Sequence, residues 1–142
     1  MSKPYERRVF YYETDKMAIV HHSNYIRWME EARLDYMRQA GLNYADMERE
    51  GVIMPVVSVS CRSLSSVRYD EQASVVTTLT SFNGVRAAFR YQIFRENGAV
   101  AAEGESSHCF LDAQSRRPVN LKRHMPDFYQ QCLKLLEETN QI

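Results

Sequence analysis

A chain of 142 residues with 44% apolar side chains can bury a proper core but is too short for two ordinary domains, so a single domain over residues 1–142 is expected. Eighteen Lys and Arg balance eighteen Asp and Glu, which excludes a global field favouring nucleic acid or an anionic membrane; any anion site must be a local patch. Cys61, Cys109 and Cys132 are odd in number and widely spaced, unlike a zinc site or a disulfide framework. With no apolar leader and no membrane-length run, they point to the cytoplasm.

In chain order, an extended segment with alternating Val9 and Tyr11 is expected to end at Asp15. After seven intervening residues, Ser23 or its neighbour Asn24 can N-cap a long helix from Asn24 to Ala40, closed by Gly41. Tyr25, Trp28, Met29, Ala32 and Tyr36 recur at helical spacing with Ile26 and Met37 on the flank, while Arg27, Glu31, Asp35 and Arg38 lie opposite. A short helix over 44–50 stops at Gly51. A β-rich run over 52–61 follows, in which Pro55 marks an edge or a bulge.

Asn83-Gly84 and Asn97-Gly98 are the strongest hairpin signals and define a three-strand meander. Two-residue turns with positive φ would set Phe89 opposite Ser106 and Tyr91 opposite Gly104 on one face, with Arg90 opposite Glu105 and Gln92 opposite Glu103 on the other. Val85, Phe89, Tyr91, Ile93, Ala102 and Phe110 would then be buried. Ala102, Gly104 and Ser106 would let the helix approach closely. A terminal helix over 126–138, carrying Phe128, Tyr129, Cys132, Leu133, Leu135 and Leu136, is expected along an edge or a neighbouring subunit. The economical arrangement is α+β: one antiparallel sheet covering one long helix.

The chemistry concentrates between Glu13 and Tyr25. Asp15 lies just ahead of a helix start whose first N–H groups are unpaired, so a carboxylate and an oxyanion-stabilising helix end would face each other, an arrangement suited to acyl transfer. That proximity would also favour the ionised carboxylate. An aspartate in this position is more often only a loop or capping residue.

Asp15, the run Val20-His21-His22-Ser23-Asn24-Tyr25, and Trp28 with Glu31-Ala32-Arg33 resemble the hot dog fold acyl-CoA thioesterases of the 4-hydroxybenzoyl-CoA thioesterase family, over nearly the whole chain. The resemblance implies a five-stranded antiparallel sheet wrapped around a long central helix, Asp15 as nucleophile or general base, and the His22 backbone N–H as the oxyanion donor. It implies that Asn24, Tyr25 and Trp28 shape the acyl pocket, that Arg86 and then Arg68 hold the phosphates of coenzyme A, and that the site lies between subunits of a homodimer or homotetramer. Acyl-CoA is the expected partner, without a cofactor beyond the substrate's own coenzyme A, and without nucleic acid or membrane. Relatives usually have glycine where this chain has Ala18, a departure at a turning point of the loop.

Other residues admit plainer readings. Adjacent histidines, His21 and His22, should point in different directions, and no third ligand of suitable spacing makes them a metal site. His108 reads as a satisfied interior or interface histidine. Arg33 falls between Ile26 and Met37 on the wheel, so its stem should cover the core with the head paired to Glu30, or else buttress the active-site loop. Arg116 and Arg117, like Arg68 and Arg86, are otherwise ordinary surface cations. The expected activity is hydrolysis of an acyl or aromatic acyl thioester to free acid and coenzyme A; the alternatives are a non-catalytic acyl-CoA-binding module or a hydratase or dehydratase of the same fold. The Asn-Pro before the catalytic histidine that is common in those dehydratases is missing around Asp15.

Overall fold

The computed structural model describes residues 2–140. Strand β1 (Tyr5–Arg8) and a 3-10 turn (Tyr11–Glu13) lead into helix α1 (Ser23–Gln39) and the short α2 (Tyr44–Arg49). Strands β2 (Val52–Ile53), β3 (Val56–Ser63), β4 (Gln72–Phe82), β5 (Arg86–Phe94), β6 (Val100–Cys109) and β7 (Leu111–Asp112) follow, and α3 (Leu121–His124) and α4 (Pro126–Asn140) complete the chain. The main sheet is antiparallel in the order β1-β4-β5-β6-β3, with β2 and β7 forming a small separate ladder. This is the five-stranded hot dog arrangement expected from the sequence.

Helix α1 lies on the sheet because its apolar stripe matches the inner face. Tyr25, Trp28, Met29, Ala32, Tyr36 and Met37 are buried together with Ala73, Val75, Leu79, Phe89, Tyr91 and Ile93. The expected small residues carry the closest approach: a Cβ on Gly104 would stand 2.7 Å from Met29 Sδ and 2.8 Å from the Ser60 carbonyl oxygen. Gly104 therefore lets the helix seat itself over β3 and β6. Pro55 falls at the break between β2 and β3, and β3 is an edge strand whose register shifts between Val56 and Ser58. Helix α4 packs on β4, beyond whose Val75 there is no partner in β1.

Three local expectations are corrected. The segment before Asp15 does not stay extended, because the 3-10 turn intervenes. The N-cap position of α1 is His22, whose side chain makes no capping bond, and not Ser23 or Asn24, which are already helical. Neither Asn83 nor Asn97 adopts positive φ; only Gly84 and Gly98 do.

The first hairpin turns on Gly84-Val85, with Asn83 Oδ1 accepting from Val85 N and Arg86 N. The second has a three-residue loop over 96–98, closed by Arg95 N to Ala99 O at 2.8 Å. An unpaired residue in β6, at the shift between Phe94–Val100 and Ile93–Ala102, offsets the longer loop. The two departures cancel, so the expected pairs Phe89–Ser106, Arg90–Glu105, Tyr91–Gly104 and Gln92–Glu103 all occur. Of the side chains expected inside, Val85 alone is only half-buried.

Gly104→Ala should destabilise the protein by about 1–3 kcal/mol, since one of the two clashing groups is backbone and cannot rotate away. Urea denaturation should show a lower midpoint at an unchanged slope.

Candidate active site

The site is built on a short loop between the 3-10 turn and α1. Thr14 bridges Val20, Asp15 N donates to Ile19 O at 2.8 Å, and Ala18 N donates to Asp15 O at 3.0 Å, so residues 14–20 form a tight closed turn. Ala18 sits at φ 64°, the left-handed conformation that a glycine would adopt without a Cβ penalty. The loop thus follows a glycine path despite the alanine. Asp15 is half-buried; its Oδ1 accepts from Met17 N at 2.8 Å, and its other oxygen accepts no bond from the described residues.

At the helix start the backbone donors are nearly all committed. His21 N donates to Glu13 O at 2.8 Å, Ser23 N to His21 Nδ1 at 3.3 Å, Asn24 N to His21 O and Tyr25 N to His22 O. Among the described residues, the His22 N–H donates to nothing. A free main-chain donor at a helix N-terminus suits a developing oxyanion. The imidazoles of His21 and His22 are exposed and, contrary to the expectation of divergent rings, lie 4.3 Å apart.

Glu13, which sequence reasoning passed over, holds this loop in place. The residue is buried, and its carboxylate accepts from Arg7 Nη1 at 2.6 and 2.7 Å, from Phe10 N at 2.8 Å and from Trp28 Nε1 at 2.8 Å. Burial by itself would raise the carboxyl's pKa; the bonds from Arg7, Trp28 and Phe10 outweigh it and hold the pKa below the ordinary value. Arg7 in turn lies over the rings of Trp28 and Phe10, at 4.8 and 5.4 Å from their centroids, and pairs by charge with Glu31, whose Oε1 is 3.0 Å from an Nε that makes no hydrogen bond. The cue was an Arg and a Glu flanking an aromatic run, with nothing local to say that they meet.

The remaining expected site residues are placed as follows. Asn24, Tyr25 and Trp28 are buried in their own chain: Asn24 Nδ2 donates to Glu13 O at 2.9 Å, and Tyr25 meets the Trp28 ring edge-on. Arg68 is exposed beside the Asp15 loop, its backbone bridged to Ile19. Arg86 is exposed at the start of β5, the far end of the hairpin whose other end, at Gln72, meets β1. The eleven residues of β4 separate the two ends by about 30 Å, so Arg86 does not approach the Asp15 loop of its own chain. Among the described residues no group of three or more His, Cys, Asp and Glu side chains could hold a metal ion. Among the described residues no helix is long and apolar enough to cross a membrane.

A five-stranded antiparallel sheet around a central helix defines the class by its architecture, the hot dog fold. Residues 9–131 match the model of the thioesterase-like superfamily, and the chain belongs to that family. It is 36% identical over 124 residues to YneP of Bacillus subtilis, named as a candidate acyl-CoA thioesterase, covering 87% of this chain and 90% of that one. It is also 24% identical over 111 residues to the acyl-CoA thioester hydrolase YbgC of Escherichia coli O6:H1, covering 78% and 83%. A crystal structure described as a DHNA-CoA thioesterase from Staphylococcus aureus superposes with a TM-score of 0.93 at 34% identity, covering 97% of this chain and 93% of that one.

A second buried polar line crosses the helix–sheet interface. Arg33 Nη1 donates to Tyr91 Oη at 3.3 Å, Tyr91 Oη meets Ser106 Oγ at 2.6 Å, and Ser106 Oγ meets His108 Nε2 at 2.8 Å. The Arg33 head, expected at Glu30, only reaches it at 4.0 Å and is itself buried. His108 is interior, as expected, with no exposed surface. Burial first, and then the Arg33 charge, push its pKa down from 6.5 to about 4, against a smaller opposing effect of the Met54 backbone.

His108 is therefore neutral in the fold and protonates more readily once unfolded, so its contribution to stability is intact above pH 6.5 and declines as pH falls towards about 4. The decline should amount to about 3 kcal/mol. In paired denaturation series from pH 7 to 4, His108→Gln should show a flatter pH dependence than wild type by about that difference.

Proposed function

We propose that the protein is an acyl-CoA thioesterase in which the Asp15 carboxylate and the His22 main-chain N–H perform the reaction. The observation that carries this reading is the occurrence, around one loop, of an Asp15 oxygen and a His22 N–H at the start of α1 that, among the described residues, engage no other group. The thioester carbonyl would accept from His22 N–H while Asp15 attacks the carbonyl carbon, releasing coenzyme A and forming a mixed anhydride that water then cleaves to regenerate Asp15, or while Asp15 removes a proton from a water that attacks the carbonyl directly. Both routes yield the free acid and coenzyme A. Neither step calls on a cofactor. Asn24, Tyr25 and Trp28 would back the site from within, and Arg68, exposed beside the same loop, would meet a phosphate of coenzyme A.

The names of the relatives, including a hydrolase and a DHNA-CoA thioesterase, support thioester hydrolysis over the hydratase reading. The left-handed Ala18 supports a competent loop over a purely binding one. We place the protein in the cytoplasm, where acyl-CoA is available.

A homodimer completes the site in this reading. Edge strand β3 exposes Val56, Val57 and Val59, an apolar edge of the kind that pairs with another chain. A partner across β3 supplies the second wall of the acyl pocket, and Arg86 then serves the partner's site rather than its own.

Asp15→Asn keeps the acceptor for Met17 N but removes the charge, so hydrolysis of a panel of acyl-CoA thioesters should fall at least about a thousandfold with the melting temperature nearly unchanged. Wild-type turnover in that variant would remove Asp15 from the chemistry. A wild-type protein that binds the thioesters without hydrolysing any would favour the binding module. Sedimentation at assay concentration should show a dimer whose dissociation on dilution is matched by loss of specific activity. A fully active monomer would refute the shared site.

A further inference from the structure

We infer that Glu13 is the positioning residue of this active site, fixing the Asp15 carboxylate relative to the His22 N–H; the inference rests on the roles proposed above for Asp15 and His22. Glu13 is tied down on both of its sides. Through its carboxylate it is bound to β1 by Arg7, to the base of its own turn by Phe10 N and to the second turn of α1 by Trp28 Nε1. Through its main-chain oxygen it accepts from His21 N at 2.8 Å and from Asn24 Nδ2 at 2.9 Å.

That second pair of bonds has a chemical consequence. The carbonyl oxygen has both acceptor positions filled by the start of α1, and it draws the His21 N–H inward. The next N–H along the chain, that of His22, is left without a protein acceptor. Asp15 lies two residues beyond Glu13, on the opposite arm of the closed turn over 14–20. The separation between nucleophile and oxyanion donor is thus set by the seat of Glu13.

The charge is required as well as the shape. Arg7, Trp28 and the Phe10 N–H all present donors, so a carboxamide in place of the carboxylate would turn its NH2 group against one of them and leave the buried Arg7 with only the more exposed Glu31 as counter-charge. Arg7 side-chain exposure is 9% and that of Glu13 is 4%, so water does little to relieve the mismatch.

The test is Glu13→Gln in the full chain, compared with Gly104→Ala as a variant that loses stability through Met29 and Ser60, which make no bond to Glu13. Glu13→Gln should lower kcat by about tenfold to a hundredfold with KM within about twofold of wild type, measured well below the melting temperature. Gly104→Ala should keep its kcat per folded molecule. Trp28→Phe removes one of the four carboxylate bonds, leaves the ion pair, and should give a smaller loss of kcat in the same direction.

Amide hydrogen exchange gives a readout that needs no turnover. The His21 and Asp15 amides should exchange at least about tenfold faster in Glu13→Gln while the Tyr91 amide of the central sheet keeps its rate. A Glu13→Gln protein with wild-type kcat would overturn the inference. So would a loss no larger than its unfolded fraction explains, or His21 and Asp15 amides that exchange at wild-type rates. If wild-type protein hydrolyses no acyl-CoA, the functional reading falls and the exchange result alone decides whether Glu13 sets the loop geometry.

Discussion

The buried carboxylate of Glu13 is the interaction on which the functional end of this molecule depends. Removing a carboxylate and a guanidinium from water costs several kcal/mol for each ion, and the cost is met only when geometry and hydrogen bonding are complete. Here the carboxylate makes four short bonds, and Arg7 is held between two aromatic rings with a second carboxylate, Glu31, at its Nε. An arrangement so demanding tolerates little displacement. It therefore imposes one relative position on β1, the 3-10 turn and α1, and the loop carrying Asp15 inherits that rigidity.

Farther along the same helix a different solution is used. Arg33, Tyr91, Ser106 and His108 form a line of polar groups between α1 and the inner face of β5 and β6, with the neutral histidine at its end. Between the two polar features the contact is close and apolar, Met29 resting where Gly104 has no side chain. Slippage of α1 along the sheet would break both polar sets and drive Met29 into a neighbour. The helix is located by what it would otherwise leave unsatisfied as much as by the area it buries.

The two edges of the sheet are unequal, and this bears on how a site could be shared. Strand β1 is four residues long and carries Glu6, Arg7 and Arg8, features that discourage pairing. Strand β3 is eight residues long and exposes three valines. Arg68 and Arg86 stand at opposite ends of the β4–β5 hairpin, so one chain cannot bring both cations to a single coenzyme A, whereas two chains joined in an antiparallel manner could.

What the amino-acid order determined by itself is whatever rests on neighbours close in the chain. The apolar stripe from Tyr25 to Met37 is periodic and so declares a helix and its buried face. Pro55 cannot donate to a ladder and so declares a break. The β5–β6 pairing was legible because alternation and two glycine turns constrain it twice, although the turns themselves differ from a simple Asn-Gly reading and a bulge restores the register. Asp15 was legible as a candidate from its place before a helix and from family resemblance.

Tertiary structure alone decided the rest, because burial of a polar group depends on partners distant in sequence. Glu13 looks like a loop carboxylate until Trp28, fifteen residues on, donates to it. Arg33 looks misplaced on its helix until Tyr91, fifty-eight residues away, receives it. Among the described residues the His22 N–H has no acceptor while that of His21 is taken by Glu13, and the length of β4 separates Arg86 from Asp15. Local periodicity encodes which face is apolar; it carries no information about which buried charge will meet which counter-charge, and that pairing is what places this site.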